Sequence, residues 1–128
     1  ESLFEDPRTL PDVDRAIARI AQARGRGETV AVYGDFDADG VTGTALMVTA
    51  LRHYGLSVVS YIPHRVSEGH GLNVAAIDHL REQGVTLIVT VDCGVTDVGP
   101  VAHAKTLGVD TIVTDHHLVA AALPEAAA

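Results

Sequence analysis

Four stretches of the chain are nearly unbroken runs of apolar, β-favouring residues: Thr29 to Tyr33, Ser57 to Ile62, Thr86 to Val91 and Asp110 to Thr114. None alternates strictly between apolar and polar positions, as a strand with one wet face would. Continuous Val, Ile and Leu runs belong to strands covered on both sides, hence to a parallel sheet flanked by helices. Between the runs lie segments of helical period. From Asp12, in N-cap position, Val13, Ile17 and Ile20 recur at helical spacing as far as Arg24, and Gly25 and Gly27 end the segment. Thr42 to Tyr54 reads as a second helix stopped by Gly55. Asn73 caps a third that runs through Gln83 to Gly84, and a fourth spans Val98 to Leu107 with Asp97 as its cap. Pro63 stops the second strand.

Glu1 to Pro11 is polar, carries two prolines and reads as an irregular lead-in; residues 12–128 form one body. Strict alternation of strand and helix predicts right-handed crossovers. The expected fold is an open parallel α/β sheet with helices on both faces, doubly wound in the Rossmann-like manner.

Ligands of such sheets bind outside the carboxyl ends of the strands. Three of the predicted strands run into polar sequence at that end. The first leads into Gly34-Asp35-Phe36-Asp37-Ala38-Asp39-Gly40, the third into Asp92-Cys93-Gly94, and the fourth into Asp115-His116-His117. Carboxylates and imidazoles gathered at one edge repel one another or are desolvated unless a cation sits among them. Carboxylate oxygens with one or two imidazoles are the ligand set of Mn²⁺ or Mg²⁺, not of a thiolate-bound structural zinc. A calcium loop starting at Asp35 would need Glu where Leu46 stands. No Gly-x-Gly-x-x-Gly follows the first strand, and the acids in its place would repel a pyrophosphate, which argues against a nicotinamide enzyme. Cys93 reads as a small buried filler, and His53, His64, His79 and His103 as structural.

Composition adds a constraint. The 128 residues, 47% apolar, suffice for one core of ordinary size. A lone cysteine makes no intrachain disulfide, which points to a reducing cytoplasm. No run reaches the ~18 consecutive apolar residues of a membrane span, and no signal-peptide pattern is present. Seventeen acids against nine bases give a net charge of −8. That is the wrong sign for gripping a polyanion by electrostatics alone, so a phosphate ligand needs metal ions or a separate basic surface.

Taken together, the motifs resemble the DHH phosphoesterase superfamily, named for the Asp115-His116-His117 triplet. They are most similar to its branch of single-strand-specific 5′→3′ DNA exonucleases. Val41-Thr42-Gly43-Thr44 carries that narrower likeness. So does Ile62-Pro63-His64-Arg65 followed by Ser67-Glu68-Gly69-His70-Gly71-Leu72, where the family usually has Tyr at the place of His70. These stretches disfavour the family's pyrophosphatases and its phosphodiesterases of short RNA or cyclic dinucleotides.

The resemblance implies two Mn²⁺ or Mg²⁺ ions sharing Asp92, with Asp35, Asp37, Asp39 and His116 completing their shells. Some members carry a histidine where this chain has Tyr33, and Asp35 is the substitute ligand. Asp92 and His117 are the implied catalytic residues, His117 contacting the scissile phosphate or assisting proton transfer. Arg65 is the implied phosphate clamp, its alternative being a surface pair with Glu68. The expected activity is metal-dependent phosphodiester hydrolysis on single-stranded DNA in repair and recombination. The family also has a further metal-binding aspartate well after the triplet and a second, substrate-gripping domain. Residues 12–128 are therefore expected to be the amino-terminal part of a DHH domain, inactive in isolation. With two Phe, three Tyr and no Trp, they offer few stacking surfaces for a single strand.

Two readings come from other classes. A haloacid-dehalogenase-like phosphatase would use Asp37 as nucleophile and Asp39 as its acid, but it wants a downstream lysine, and Lys105, the only one, lies inside a predicted helix. A non-catalytic DHH scaffold would have no need of an intact ligand set.

Overall fold

The structure, a computed structural model, describes residues 5–119 and 121–128. A short 3-10 turn, Pro7–Thr9, precedes α1 (Val13–Arg26), β1 (Thr29–Gly34), α2 (Ala38–His53) and β2 (Ser57–Tyr61). Then come α3 (Val74–Glu82), β3 (Val85–Val91), α4 (Val98–Thr106) and β4 (Asp110–Ile112). The strands are parallel in the order β2-β1-β3-β4. From β1 the chain winds outward to β2, then crosses back to β3 and continues to β4. The winding reverses between β1 and β3, so the crevice where such sheets take ligands opens at the carboxyl ends of those two strands.

Both faces of the sheet are covered. Val30 and Val32 of β1 pack with Leu87 and Val89 of β3 against Ala23 of α1 and Leu51 of α2. Ala31, Tyr33 and Ile88 point the other way, toward Ile77 and Leu80 of α3 and Val101 of α4. Successive side chains of a strand alternate in direction, so a strand buried on both faces must be apolar at nearly every position. Each fully buried Val, Leu or Ile contributes about 1.5–3 kcal/mol. The strand ends that carry the polar motifs are thus held by the core.

Local physics moves some boundaries. The lead-in contains the Pro7–Thr9 turn, begun by the Asp6 carboxylate accepting the Arg8 N–H, and its residues 1–4 lie outside those described. Helix α1 passes through Gly25 and ends at Gly27, whose φ of 65° lets its N–H reach the Ala23 and Arg24 carbonyls. Asp12 stands at the N-cap but does not cap; its carboxylate pairs with Arg15 at 3.1 Å. Helix α2 begins at Ala38, a turn before the expected Thr42, because the Asp37 carboxylate accepts the N–H groups of Asp39 and Gly40, both at 3.0 Å. Gly40 permits this start: a Cβ there would lie 2.4 Å from the Asp35 carbonyl oxygen. Strand β4 stops at Ile112, yet Thr114 stays tied to Thr90, its N–H 3.2 Å from Thr90 Oγ1. Asp97 is at the N-cap of α4 without capping it; its carboxylate instead accepts the Leu72 N–H at 2.7 Å. Among the described residues no helix is long and apolar enough to cross a membrane.

Candidate metal centre

Strands β1 and β3 run side by side up to the Gly34–Val91 pair. The ladder then extends by one bond, from the Asp35 N–H to the Val91 carbonyl at 3.2 Å. The first residue past each strand is therefore an aspartate, Asp35 and Asp92, buried to 4% and 8% exposure. Asp92 has a left-handed backbone, φ 63°, and its N–H is held by the Thr114 carbonyl at 3.0 Å. Aspartate accepts that conformation far better than a β-branched residue does. Gly94, at φ 111°, then turns the chain away from the cleft. Asp37 reaches the cleft from the N-cap of α2, where the Gly40 N–H chiefly holds its carboxyl below the usual range.

Oxygens of Asp35, Asp37 and Asp92 lie within 4.8 Å of one another, and so do ligand atoms of Asp92, His116 and His117. Asp92 is common to both groups. Asp39, in the first turn of α2, is not in either group but lines an open cleft of about 380 Å³ together with Asp92, Thr114, Asp115 and His116. Asp35 Oδ1 and Asp92 Oδ1 are both buried without a hydrogen-bond partner. His70 Nδ1 comes within 3.1 Å of the first and His116 Nε2 within 2.9 Å of the second, yet neither approach is aligned as a hydrogen bond. A buried carboxylate oxygen with no donor is costly, and a hard divalent cation is the group that relieves it. The residues present fit such an ion.

Asp115 organises its neighbours rather than joining the ligand groups. Its Oδ1 accepts the N–H of His116 at 2.7 Å and of His117 at 3.0 Å, and meets His117 Nδ1 at 2.7 Å. Its Oδ2 accepts the Val95 N–H at 3.0 Å. Burial works against its charge, but these donors win and keep its carboxyl below the usual range. The same contact raises the His117 imidazole above its ordinary value. With Nδ1 turned to Asp115, Nε2 of His117 is the nitrogen left for other contacts.

Arg65 lies with its guanidinium over the Phe36 ring, 5.1 Å from the centroid. Its alternative partner, Glu68, is taken up by the Tyr61 hydroxyl at 2.5 Å and the His64 N–H at 2.7 Å. Tyr33 is wholly buried, its hydroxyl donating to the Gly71 carbonyl at 3.0 Å. Cys93 is buried beside Asp92, and desolvation pushes its thiol up to about 12. His103 pairs with Asp78, His79 with Gln83 and His64 with Ser67, outside both ligand groups. Lys105 pairs with Glu125 at 2.9 Å and lines a different cavity, so no lysine serves Asp37 in the phosphatase manner. His70, which the sequence did not single out as a ligand, stands 3.1 Å from Asp35 but outside both ligand groups. Its ring packs edge-on against Phe36 and His117, with centroids 6.3 and 5.5 Å away.

A parallel sheet whose switch point carries carboxylates and imidazoles around a shared aspartate defines an α/β domain with side chains placed so that they could hold a metal ion. The chain belongs to the DHH family: residues 29–128 match the N-terminal domain of that family. It is 46% identical over 120 residues to the single-stranded-DNA-specific exonuclease RecJ of Salmonella typhimurium, covering 93% of this chain and 21% of that protein. To RecJ of Bacillus subtilis it is 43% identical over 122 residues, covering 95% and 16%. The crystal structure of exonuclease RecJ bound to manganese matches with a TM-score of 0.85 and 37% identity, over 91% of this chain and 30% of that one. RecJ in complex with Mn²⁺ from Thermus thermophilus gives 0.78 and 32%, over 92% and 16%. The chain spans 21% and 16% of the length of these two curated relatives.

Proposed function

We propose that this chain forms the metal-holding edge of a single-strand-specific 5′→3′ DNA exonuclease acting in repair and recombination in the cytoplasm. The observation that carries the reading is Asp92, common to two ligand groups and bearing a buried oxygen with no hydrogen-bond partner. The likeness to RecJ supports the substrate class. In this reading Asp35, Asp37 and Asp92 would hold one cation, and Asp92 and His116 the other, with Asp39 lining the same cleft from outside both close groups. When bound, a pair of Mn²⁺ or Mg²⁺ ions makes hydroxide available near neutral pH and neutralises charge building on the phosphate oxygens.

The side chains supply the rest. Asp115 fixes the ring of His117 through Nδ1 and favours its protonated form, so that Nε2–H faces the scissile phosphate. Arg65, steadied on Phe36, clamps a second phosphate through its guanidinium fork. The cations answer the net charge of −8 only at this edge. The grip on a strand belongs to other parts of a protein as long as the relatives, and residues 12–128 are the amino-terminal part of its DHH domain.

The test is hydrolysis by the full-length protein with Mn²⁺, on 5′-phosphorylated single strands, duplex, short RNA, a cyclic dinucleotide and pyrophosphate. The expected result is mononucleotide release from the 5′ end of single strands, lost in Asp92→Asn. Turnover confined to pyrophosphate or the short substrates would move the chain to another branch of the family. Tight Mn²⁺ binding with no turnover on any substrate would make it a scaffold.

A further inference from the structure

We propose that His70 is an additional metal ligand, doing at Asp35 what His116 does at Asp92. The inference rests on the metal-centre reading above and adds a residue to it. The two contacts are alike in distance, although His116 lies in a close ligand group with Asp92 and His70 lies in neither group. His70 Nδ1 stands 3.1 Å from Asp35 Oδ1, and His116 Nε2 stands 2.9 Å from Asp92 Oδ1. In both, the carboxylate oxygen is buried and has no aligned donor. The nitrogen and the oxygen are close enough to be neighbouring ligands of one ion, and no hydrogen bond between them competes for that role. Neighbouring ligands of a six-coordinate ion with bonds of ~2.1 Å lie ~3.0 Å apart. Both pairs therefore have the spacing of one edge of a coordination shell.

The loop that carries His70 is tied down on each side of it. The Tyr33 hydroxyl donates to the Gly71 carbonyl at 3.0 Å, and the Leu72 N–H donates to Asp97 Oδ2 at 2.7 Å. Ahead of His70, the Glu68 carboxylate accepts from Tyr61 and from the His64 backbone. The edges of Phe36 and His117 limit the rotation of the ring itself. His70 is thus delivered to Asp35 by an anchored segment, although its side chain is 48% exposed.

A second imidazole has a chemical consequence. Nitrogen ligands favour Mn²⁺ and later first-row ions over Mg²⁺, which prefers an all-oxygen shell and holds its waters. His70 therefore biases the Asp35 position toward manganese. It acts on metal choice, and need not touch the phosphate.

The experiment uses the full-length protein without DNA: wild type, His70→Phe, His70→Ala and Asp92→Asn. His70→Phe keeps a ring against Phe36 and His117 and removes the nitrogens; His70→Ala serves where the larger ring disturbs the loop. MnCl₂ and MgCl₂ are titrated by calorimetry, and pulsed electron paramagnetic resonance of the Mn²⁺-loaded protein counts directly bound imidazole nitrogens. The expected result is a loss of Mn²⁺ affinity of about tenfold or more. The ratio of Mn²⁺ to Mg²⁺ affinity falls with it, and one bound nitrogen disappears. Wild-type Mn²⁺ affinity in both His70 variants, with Asp92→Asn impaired, overturns the role of His70 and leaves the centre standing. Weakened affinity with an unchanged nitrogen count also overturns ligation and makes His70 a positioning residue for Asp35. Wild-type affinity in Asp92→Asn overturns the centre itself.

Discussion

Asp92 occupies a left-handed backbone position, φ 63°, that asparagine shares at little cost. Asp92→Asn therefore keeps the turn and removes only charge. An amide bridges two cations poorly, so Mn²⁺ affinity and turnover should each fall at least ~10²-fold. Without metal the outcome reverses. The wild-type carboxylate is buried with an unpartnered oxygen and stands within 4.8 Å of the Asp35 and Asp37 oxygens, so that removing its charge relieves repulsion among three acids. Thermal unfolding in a chelator should show the variant melting no lower than wild type. In Mn²⁺ it should melt lower, because a ligand that binds only the folded state raises stability by mass action. His117→Ala makes the complementary case. Its Nδ1 is 2.7 Å from Asp115 and 4.0 Å from Asp92, so it is anchored to the organiser more than to the shared ligand. Turnover should drop about 10²-fold while Mn²⁺ affinity stays within about threefold, read by single-turnover kinetics and calorimetry on the same preparation.

At the scale of elements, the segment between β2 and α3 delivers Arg65 and His70, and Glu68 is its anchor. The His64 N–H first, and then the Tyr61 hydroxyl, hold the Glu68 carboxyl below its ordinary range. A carboxyl depressed by folding contributes stability above its unfolded pKa, about 4.3, and loses it as pH falls through the lower folded value. Glu68→Ala should cost about 0.5–1.5 kcal/mol at neutral pH, since it strips an ionised acceptor from the half-buried Tyr61 hydroxyl and from the exposed His64 N–H, where solvent screens the loss. The gap to wild type should close below about pH 4. Chemical unfolding of both proteins across that range checks the sign; a gap that widens toward acid contradicts it.

The start of α2 is the element least visible in the sequence. Asp37 to Gly40 has the residue types of a loop, and what makes it helical is a tertiary fit: Gly40 against the Asp35 carbonyl, with the Asp37 carboxylate capping. Asp97 has the position of a cap but serves Leu72, 25 residues away. Local propensity has no access to either. His70 escaped for the same reason. It is one of seven histidines in the chain, and only closure of the Tyr33–Gly71 and Leu72–Asp97 contacts brings it to Asp35.

For the whole molecule, the parallel sheet was legible because strands covered on both faces must be apolar at nearly every position. The β1 and β3 runs meet that rule, whereas the edge strand β2 is buried only at Val58 and was legible from its apolar run between helical segments. The convergence of Asp35, Asp37, Asp92 and His116 followed from the same topology, since all leave parallel strands at one edge. The division of labour among them did not follow. That Asp115 orients His116 and His117, and that Asp39 stands outside both ligand groups, depends on side-chain placement at a spacing of ångströms. We infer that this edge holds two divalent cations through a shared Asp92. Anomalous scattering from crystals of the full-length protein soaked in MnCl₂ tests it most directly. The expected map has two peaks, each within ~2.6 Å of an Asp92 oxygen. One lies between Asp35 and Asp37, the other beside His116 in the cleft that Asp39 lines. Manganese bound only elsewhere, or two ions that do not share Asp92, would contradict the claim.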